Sequence, residues 1–406
     1  MSGKWKILAF LCGLCFVYTV DRALLGLLAI PIQSETGLSD VQFGVLNSAI
    51  FWTYALLVPF SGLIGDRYDR RTVIAVAAVA WSAMTLCAAF AGGFWSLLLL
   101  ASFAITAPQT LYSPSANALI AVHHRGSRTT ALSLHQAAFY AGWFASGALV
   151  ALVLSTGRSW RTAYAAMGLV GIVLGVAFFA FSRGTGKSEP ILTEKPAVAD
   201  SLRAFFRCPS ALLAGGAYVA LVFVACGYCA WGPKFVALKF GLTPAAAGTG
   251  VMFWHYAASL VAILVAGVAT DRLVRRWPRF RLALQSAALL LSSPVLALFG
   301  FSPTLVGVWA AAASFGVLRG LFEANVFTSL FDVVDRKYRS SAVGFLDILA
   351  GIIGSLAPIG MGWLSDRYGV RGFEIGFSLL GVALLVASAC VATSLFVTFR
   401  RDRIVE

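Results

Sequence analysis

Along the chain, apolar stretches of about 20 residues or more alternate with short clusters of Gly, Pro, Ser and charged residues. Such runs are long enough to cross a bilayer as α-helices, which rise about 1.5 Å per residue against a hydrocarbon core of about 30 Å. The pattern predicts helices near 7–31, 41–64, 72–92, 95–121, 130–154 and 161–182. A second set follows near 210–237, 247–270, 282–301, 304–331, 341–365 and 373–399. The expected fold is an all-α polytopic membrane protein with twelve transmembrane helices, because lipid cannot satisfy the free backbone groups of irregular chain or open strands.

Composition agrees: 59% of the 406 residues are hydrophobic and 12% charged, with a mean hydropathy of +0.85. The first apolar run is too long for a cleavable signal peptide, contains Asp21 and Arg22, and lacks a small-residue cleavage site, so it is expected to stay as a span. The net charge of +14 is spread over many short loops, which argues for topology and against a nucleic-acid partner. With the N-terminus placed in the cytoplasm, 23 of the 31 Lys and Arg residues fall in cytoplasmic segments and 5 on the other side; Arg22, Lys234 and Arg319 lie within spans. The positive-inside bias therefore puts both termini in the cytoplasm. The cysteines at 12, 15, 87, 208, 226, 229 and 390 sit mostly within apolar runs, without His or acidic residues at metal spacing. They read as packing residues, and neither a metal nor a cofactor is expected.

The longest polar stretch, 183–209, divides the chain nearly in half. It is expected to be a cytoplasmic linker between an N-terminal six-helix bundle, 1–182, and a C-terminal one, 210–406. A repeat supports the division: Gly62-x-x-x-Asp66-Arg67-x-x-Arg70-Arg71 returns as Gly267-x-x-x-Asp271-Arg272-x-x-Arg275-Arg276. Arg128-Thr-Thr-Ala131 is likewise echoed by Arg339-Ser-Ser-Ala342 at the start of each half's fifth helix. Two related six-helix repeats form a transporter architecture.

GLIGDRYDRR, between the second and third helices, resembles the signature loop of the major facilitator superfamily, and its copy lies between the eighth and ninth. Within that superfamily, the first sixty residues are most similar to the anion:cation symporters, which include carriers of hexuronate, galactonate, phthalate and sialic acid. The resembling residues are Val20-Asp21-Arg22, Gly37-Leu38-Ser39-Asp40 and Phe51-Trp52-Thr53-Tyr54-Ala55-Leu56. Spinster-type lipid carriers share the helix-1 Asp-Arg pair and the GDRY loop. The chain departs from the symporter pattern in the fourth helix. Where that group has an arginine and a glutamate, residues 101–110 read ASFAITAPQT, so either the coupling residues have moved or substrate and coupling differ.

Charges inside spans are costly and usually face the bundle interior or a cavity. Asp21 and Arg22, adjacent on a helix, point about 100° apart. The resemblance implies that Arg22 holds a substrate carboxylate with its planar fork and that Asp21 exchanges the coupling proton. A static interhelical ion pair is the alternative. Arg319 and Glu323, spaced i,i+4, form a second pair, read either as an anion contact with a proton-sensitive partner or as a self-neutralised brace. Asp347 is expected with Glu323 and Asp21 among the proton-coupling residues, and it matches His135-Gln136 in position within the repeat. Tyr54, Tyr112, Gln136, Tyr228, His255 and Asn325 join Arg22 and Arg319 as substrate-binding candidates. Gly62, Asp66, Arg67, Arg70, Arg71, Gly267, Asp271 and Arg272 are the gating candidates: Asp66 against the positive end of the eleventh helix, the arginines on cytoplasmic carboxylates or lipid phosphates. Lys234 is read as snorkelling, and Trp160, Trp231 and Trp363 as interfacial belt residues.

With no phosphate-loop motif and no cluster of nucleophile, base and metal ligands, neither an ATP-driven pump nor an enzyme is expected. The resemblance implies a monomeric, alternating-access carrier of a small organic anion in the bacterial inner membrane, driven by protons in symport. Spinster-like transport of a lysolipid or other amphiphile, or proton-coupled export, are the alternatives.

Overall fold

The computed structural model describes residues 3–124, 128–182, 198–274, 276–277, 279–335 and 338–403. Twelve helices are long and apolar enough to span a membrane, and no strand occurs among the described residues. In the first half they are α1 Gly3–Leu27, α2 Asp40–Arg67, α3 Arg70–Ala88, α4 Phe94–His123, α5 Arg128–Leu154 and α6 Trp160–Ser182. The second half contributes α7 Pro209–Phe240, α8 Pro244–Val274, α9 Phe280–Phe301, α10 Leu305–Phe331, α11 Ser341–Tyr368 and α12 Val370–Asp402. The protein is thus the all-α, twelve-span molecule its apolar periodicity calls for.

Helix ends follow local chemistry. The short helix Ala29–Thr36 continues α1 after a break at Leu28 and stops at Gly37 in a left-handed conformation. Ser39 then caps α2, its hydroxyl accepting from the Gln42 N–H while the Gln42 side chain accepts from the Ser39 N–H. A π-helical segment, Leu98–Ala104, interrupts α4.

The chain forms two compact units. One comprises Met1–Thr193 with Gly232–Phe253, the other Glu194–Trp231 with Trp254–Glu406; α7 and α8 therefore change unit along their length. In each unit the third and sixth helices of that half pack extensively, α3 on α6 and α9 on α12. Small residues permit this. A Cβ on Gly168 would lie 2.6 Å from the Leu86 nitrogen and 2.7 Å from the Ser82 carbonyl, and one on Gly171 only 2.1 Å from Ser82 Oγ. Close backbone approach replaces the hydrophobic drive that lipid cannot supply between helices.

Outside the bundle core of the first unit, Glu35 clasps three segments. It accepts from Trp160 Nε1 at 2.7 Å and from Arg161 at 2.6 Å, while Arg161 also donates to the Ala89 and Ala91 carbonyls. Trp160 is therefore buried, and Trp231 is buried too, donating to the Pro358 carbonyl at 2.8 Å. Both depart from the belt role expected of them because their indole N–H groups have protein partners. Trp363 is 52% exposed, as a belt residue would be.

Gly168→Ala should lower the melting temperature in detergent by several degrees, because overpacking a backbone contact costs about 1–3 kcal/mol. Gly216→Ala, where nothing lies within 4 Å of the new Cβ, should be neutral or stabilising. Equal melting of the two variants would contradict this account of the α3–α6 contact.

Candidate functional site

Helix α1 presents its two adjacent charges to different surroundings. Asp21 is buried inside the first unit, where Thr85 Oγ1 of α3 reaches its Oδ2 at 3.4 Å and Oδ1 has no hydrogen-bond partner. No cation pairs with Asp21 among the described residues, so Asp21 takes part in no interhelical ion pair there. Arg22 is half-buried on another face, donating to Tyr18 Oη at 2.7 Å. Its guanidinium carbon lies 5.6 Å from the Tyr18 ring centroid, 5.7 Å from Phe51 and 5.0 Å from Tyr54. Each such contact contributes about 0.5–2 kcal/mol depending on desolvation. Tyr18 lies one turn before Arg22 on α1, and Phe51 and Tyr54 lie one turn apart on α2, so helical spacing assembles the cage.

The second unit holds a different cluster. Arg319 Nε donates to Glu323 Oε1 at 2.8 Å, and Nη1 donates to His255 Nε2 at 3.2 Å. Because arginine can only donate, Nε2 of His255 accepts and the ring is neutral in this arrangement. The Tyr256 ring lies 5.4 Å from the guanidinium carbon, and Tyr256 Oη is 3.0 Å from Cys229 Sγ. One helical turn thus fixes Arg319 beside Glu323, and α8 supplies the aromatic wall. Elsewhere in this unit Tyr218 of α7 donates to Asp347 Oδ1 at 2.8 Å.

Several expected binding residues are buried among side chains of their own unit. Tyr112 is 1% exposed, donating to the Leu11 carbonyl at 2.6 Å and lying 2.9 Å from His135 Nε2. Tyr228 is enclosed by His255, Phe299, Phe315 and Phe377. Asn325 is buried at a break in α10, donating to the Leu321 carbonyl and to Thr270 Oγ1. The contacts of these three lie within one unit, and the buried Tyr228 Oη has no hydrogen-bond partner among the described residues. Gln136 is exposed, whereas its neighbour His135 is buried.

The repeated loops divide similarly. Arg67 and Arg272 are exposed, but Arg70 and Arg71 are buried. Arg71 donates to His123 Nε2 at 3.0 Å and to the Ser182 carbonyl at 3.4 Å, joining the ends of α3, α4 and α6. That fastening is an observed contact of Arg71. The side chains of Gly62, Asp66 and Asp271 and all of 183–197 lie outside the described residues. Gly267 stands in open space, with nothing within 4 Å of where a Cβ would sit.

Sequence reasoning missed an ion pair in the first unit. Lys234 contacts Asp40 and donates to Gln33 Oε1 at 2.7 Å, while Gln33 Nε2 donates to Asp40 Oδ1 at 2.7 Å. Lys234 is therefore paired and does not snorkel. Asp40 also opens α2, where the helix dipole favours its charge.

Residues 10–358 match the Major Facilitator Superfamily. The chain belongs to that superfamily. It is 23% identical to a hexuronate transporter of Bacillus subtilis, over 96% of this chain and 94% of the relative. It is 28% identical to an MFS-type efflux pump of Mycolicibacterium smegmatis, over 95% and 90%. In fold it matches the crystal structure of a bacterial homologue of the human lysosomal transporter Spinster, with a TM-score of 0.85 at 20% identity, covering 100% of this chain and 99% of that one. The superfamily member is accordingly a membrane transporter with the major facilitator fold.

Glu323→Ala should lower the melting temperature, at a cost on the order of 3 kcal/mol, because it strands Arg319 in a largely buried position. The double variant Arg319→Met with Glu323→Leu should recover most of that loss, since it leaves no uncompensated charge, although the His255 Nε2 acceptor loses its donor. A double variant that melts as low as the single one would show that the loss is one of packing.

Proposed function

We propose that the protein is a proton-coupled symporter of a small organic anion, working by alternating access between two six-helix bundles, 1–182 and 210–406, joined through 183–209. One observation carries the reading: α1 directs Asp21 into the bundle and Arg22 into an aromatic cage, so that a carboxyl and a guanidinium on adjacent residues do not neutralise each other. An uncompensated carboxylate in a dry interior costs several kcal/mol, which suits Asp21 to proton exchange and not to bracing. Arg22, oriented by Tyr18, Phe51 and Tyr54, offers a planar fork for a carboxylate. Arg319, held by Glu323 and His255, supplies a second positive centre from the other half, in place of the arginine that the fourth helix lacks.

The hexuronate transporter among the relatives supports an anionic substrate, and the charge bias of the loops supports cytoplasmic termini and a bacterial inner-membrane location. The aromatic ring about Arg22 and the likeness to Spinster favour one second reading, a carrier of a lysolipid or similar amphiphile with an anionic head.

Proteoliposomes tested with hexuronates, other sugar acids and a lysophospholipid separate the two. Accumulation of a sugar acid under an inward proton gradient is the expected result. Gradient-driven uptake of the lysophospholipid alone would replace the first reading with the second. Arg22→Lys should weaken substrate affinity by about tenfold, since a point ammonium does not reproduce a bidentate fork. Asp21→Asn should retain counterflow yet lose accumulation driven by pH; accumulation that survives in Asp21→Asn removes the proton assignment.

A further inference from the structure

Just before α7, the short helix Val198–Phe206 carries two unlike faces. Its inner face packs Phe205, 2% exposed, within the second unit, to which the helix belongs: the Phe205 and Phe345 rings lie 5.6 Å apart. A Cβ on Gly215 of α7 would come within 3.2 Å of Phe205 Cζ and 2.5 Å of Leu346 Cδ2. Phe205 therefore wedges where α7 and α11 meet, beside the Tyr218–Asp347 hydrogen bond.

The outer face is unlike an ordinary soluble surface. Arg203, Phe206 and Arg207, at i, i+3 and i+4, are all exposed; the Phe206 ring meets Phe345 edge-on at 5.4 Å between centroids, yet 55% of Phe206 stays exposed. Neither arginine side chain has a hydrogen bond or ion pair among the described residues, although Asp200 lies one turn earlier on the helix. The apolar span begins at Pro209, three residues beyond Phe206, so the helix has no length in which to leave the membrane surface. The Ser210 N–H donates to Asp402 Oδ2 at 3.0 Å, which brings the exposed Arg400 and Arg403 at the end of α12 next to the same point. Exposed guanidinium groups flanking an exposed aromatic ring, held at the bilayer boundary, match phosphate headgroups above and acyl chains below.

We propose that this helix is a docking surface for anionic phospholipid, with Arg203 and Arg207, aided by Arg400 and Arg403, taking headgroup phosphates while Phe206 inserts among the upper acyl chains. The lipid so bound presses Phe205 into the α7–α11 contact and steadies the cluster around Asp347. This holds whichever solute the protein carries, and it does not depend on the direction of transport.

Phe206 replaced by p-benzoylphenylalanine, irradiated in vesicles of phosphatidylcholine with a minor fraction of phosphatidylglycerol, reads the occupant directly. Mass spectrometry should find phosphatidylglycerol adducts enriched about fivefold or more over its mole fraction, the preference that one or two arginines near an anionic surface confer. R203Q/R207Q in the same background should lose the enrichment while still forming lipid adducts. K4Q/K6Q, which removes two exposed charges elsewhere, should keep it. Adducts in proportion to bulk composition, cross-links chiefly to protein, or equal loss in K4Q/K6Q would each overturn the proposal. Detergent melting of the variants, expected to match wild type, separates lost binding from lost fold, and the wild-type background decides the matter if a variant fails to fold.

Discussion

Lipid tails neither donate nor accept hydrogen bonds, and nearly every feature of this chain answers to that fact. Backbone groups are closed within helices, many hydroxyls return to carbonyls one turn back, and the indole N–H groups of Trp160 and Trp231 find a carboxylate and a carbonyl across helix contacts. Hydrophobic attraction between helices is weak where the solvent is itself apolar, so contact is gained by close approach, as at Gly168 and Gly171 against α3. In such an interior an unpartnered polar atom is conspicuous. Asp21 Oδ1 is one, and its isolation says more about function than any of the satisfied polar groups around it.

The adjacency of Asp21 and Arg22 shows how a helix keeps opposite charges apart at the smallest possible sequence separation. Residues i and i+1 differ by about 100° around the axis, and the surroundings complete the separation: Thr85 and α3 on one side, a ring of Tyr18, Phe51 and Tyr54 on the other. Arg319 and Glu323 follow the contrary geometry. At i,i+4 they share a face and neutralise one another in part, so the two halves of the protein hold their positive centres in different electrostatic company.

Span positions were readable because a bilayer imposes a length and a composition that sequence displays openly, and the expected and observed helices differ by a few residues at their ends. Charged residues were readable for the same reason: within an apolar run an Asp or Arg stands out. Uncharged candidates were harder. Tyr112, Tyr228 and Asn325 have the polarity a binding site needs, yet the interior of a six-helix bundle uses the same residue types for bracing, and sequence does not say which face of a span looks inward. Trp160 and Trp231 illustrate this at the span ends, where an indole suits either an interfacial belt or a buried hydrogen bond. The Lys234–Asp40 pair joins residues 194 apart, a distance at which no local pattern carries a signal.

The π-helical segment Leu98–Ala104 changes how α4 lines up with the fourth helix of a relative. A π turn accommodates one residue more than an α turn, so everything after it is rotated by roughly 100° relative to an uninterrupted helix. Gln109 and Tyr112 therefore sit out of phase with the residues that precede the segment. An ungapped, position-by-position pairing of α4 with a regular helix would match side chains that point in different directions. The fourth helix has its own register, and its lack of an arginine or glutamate has to be judged by facing direction, not by column.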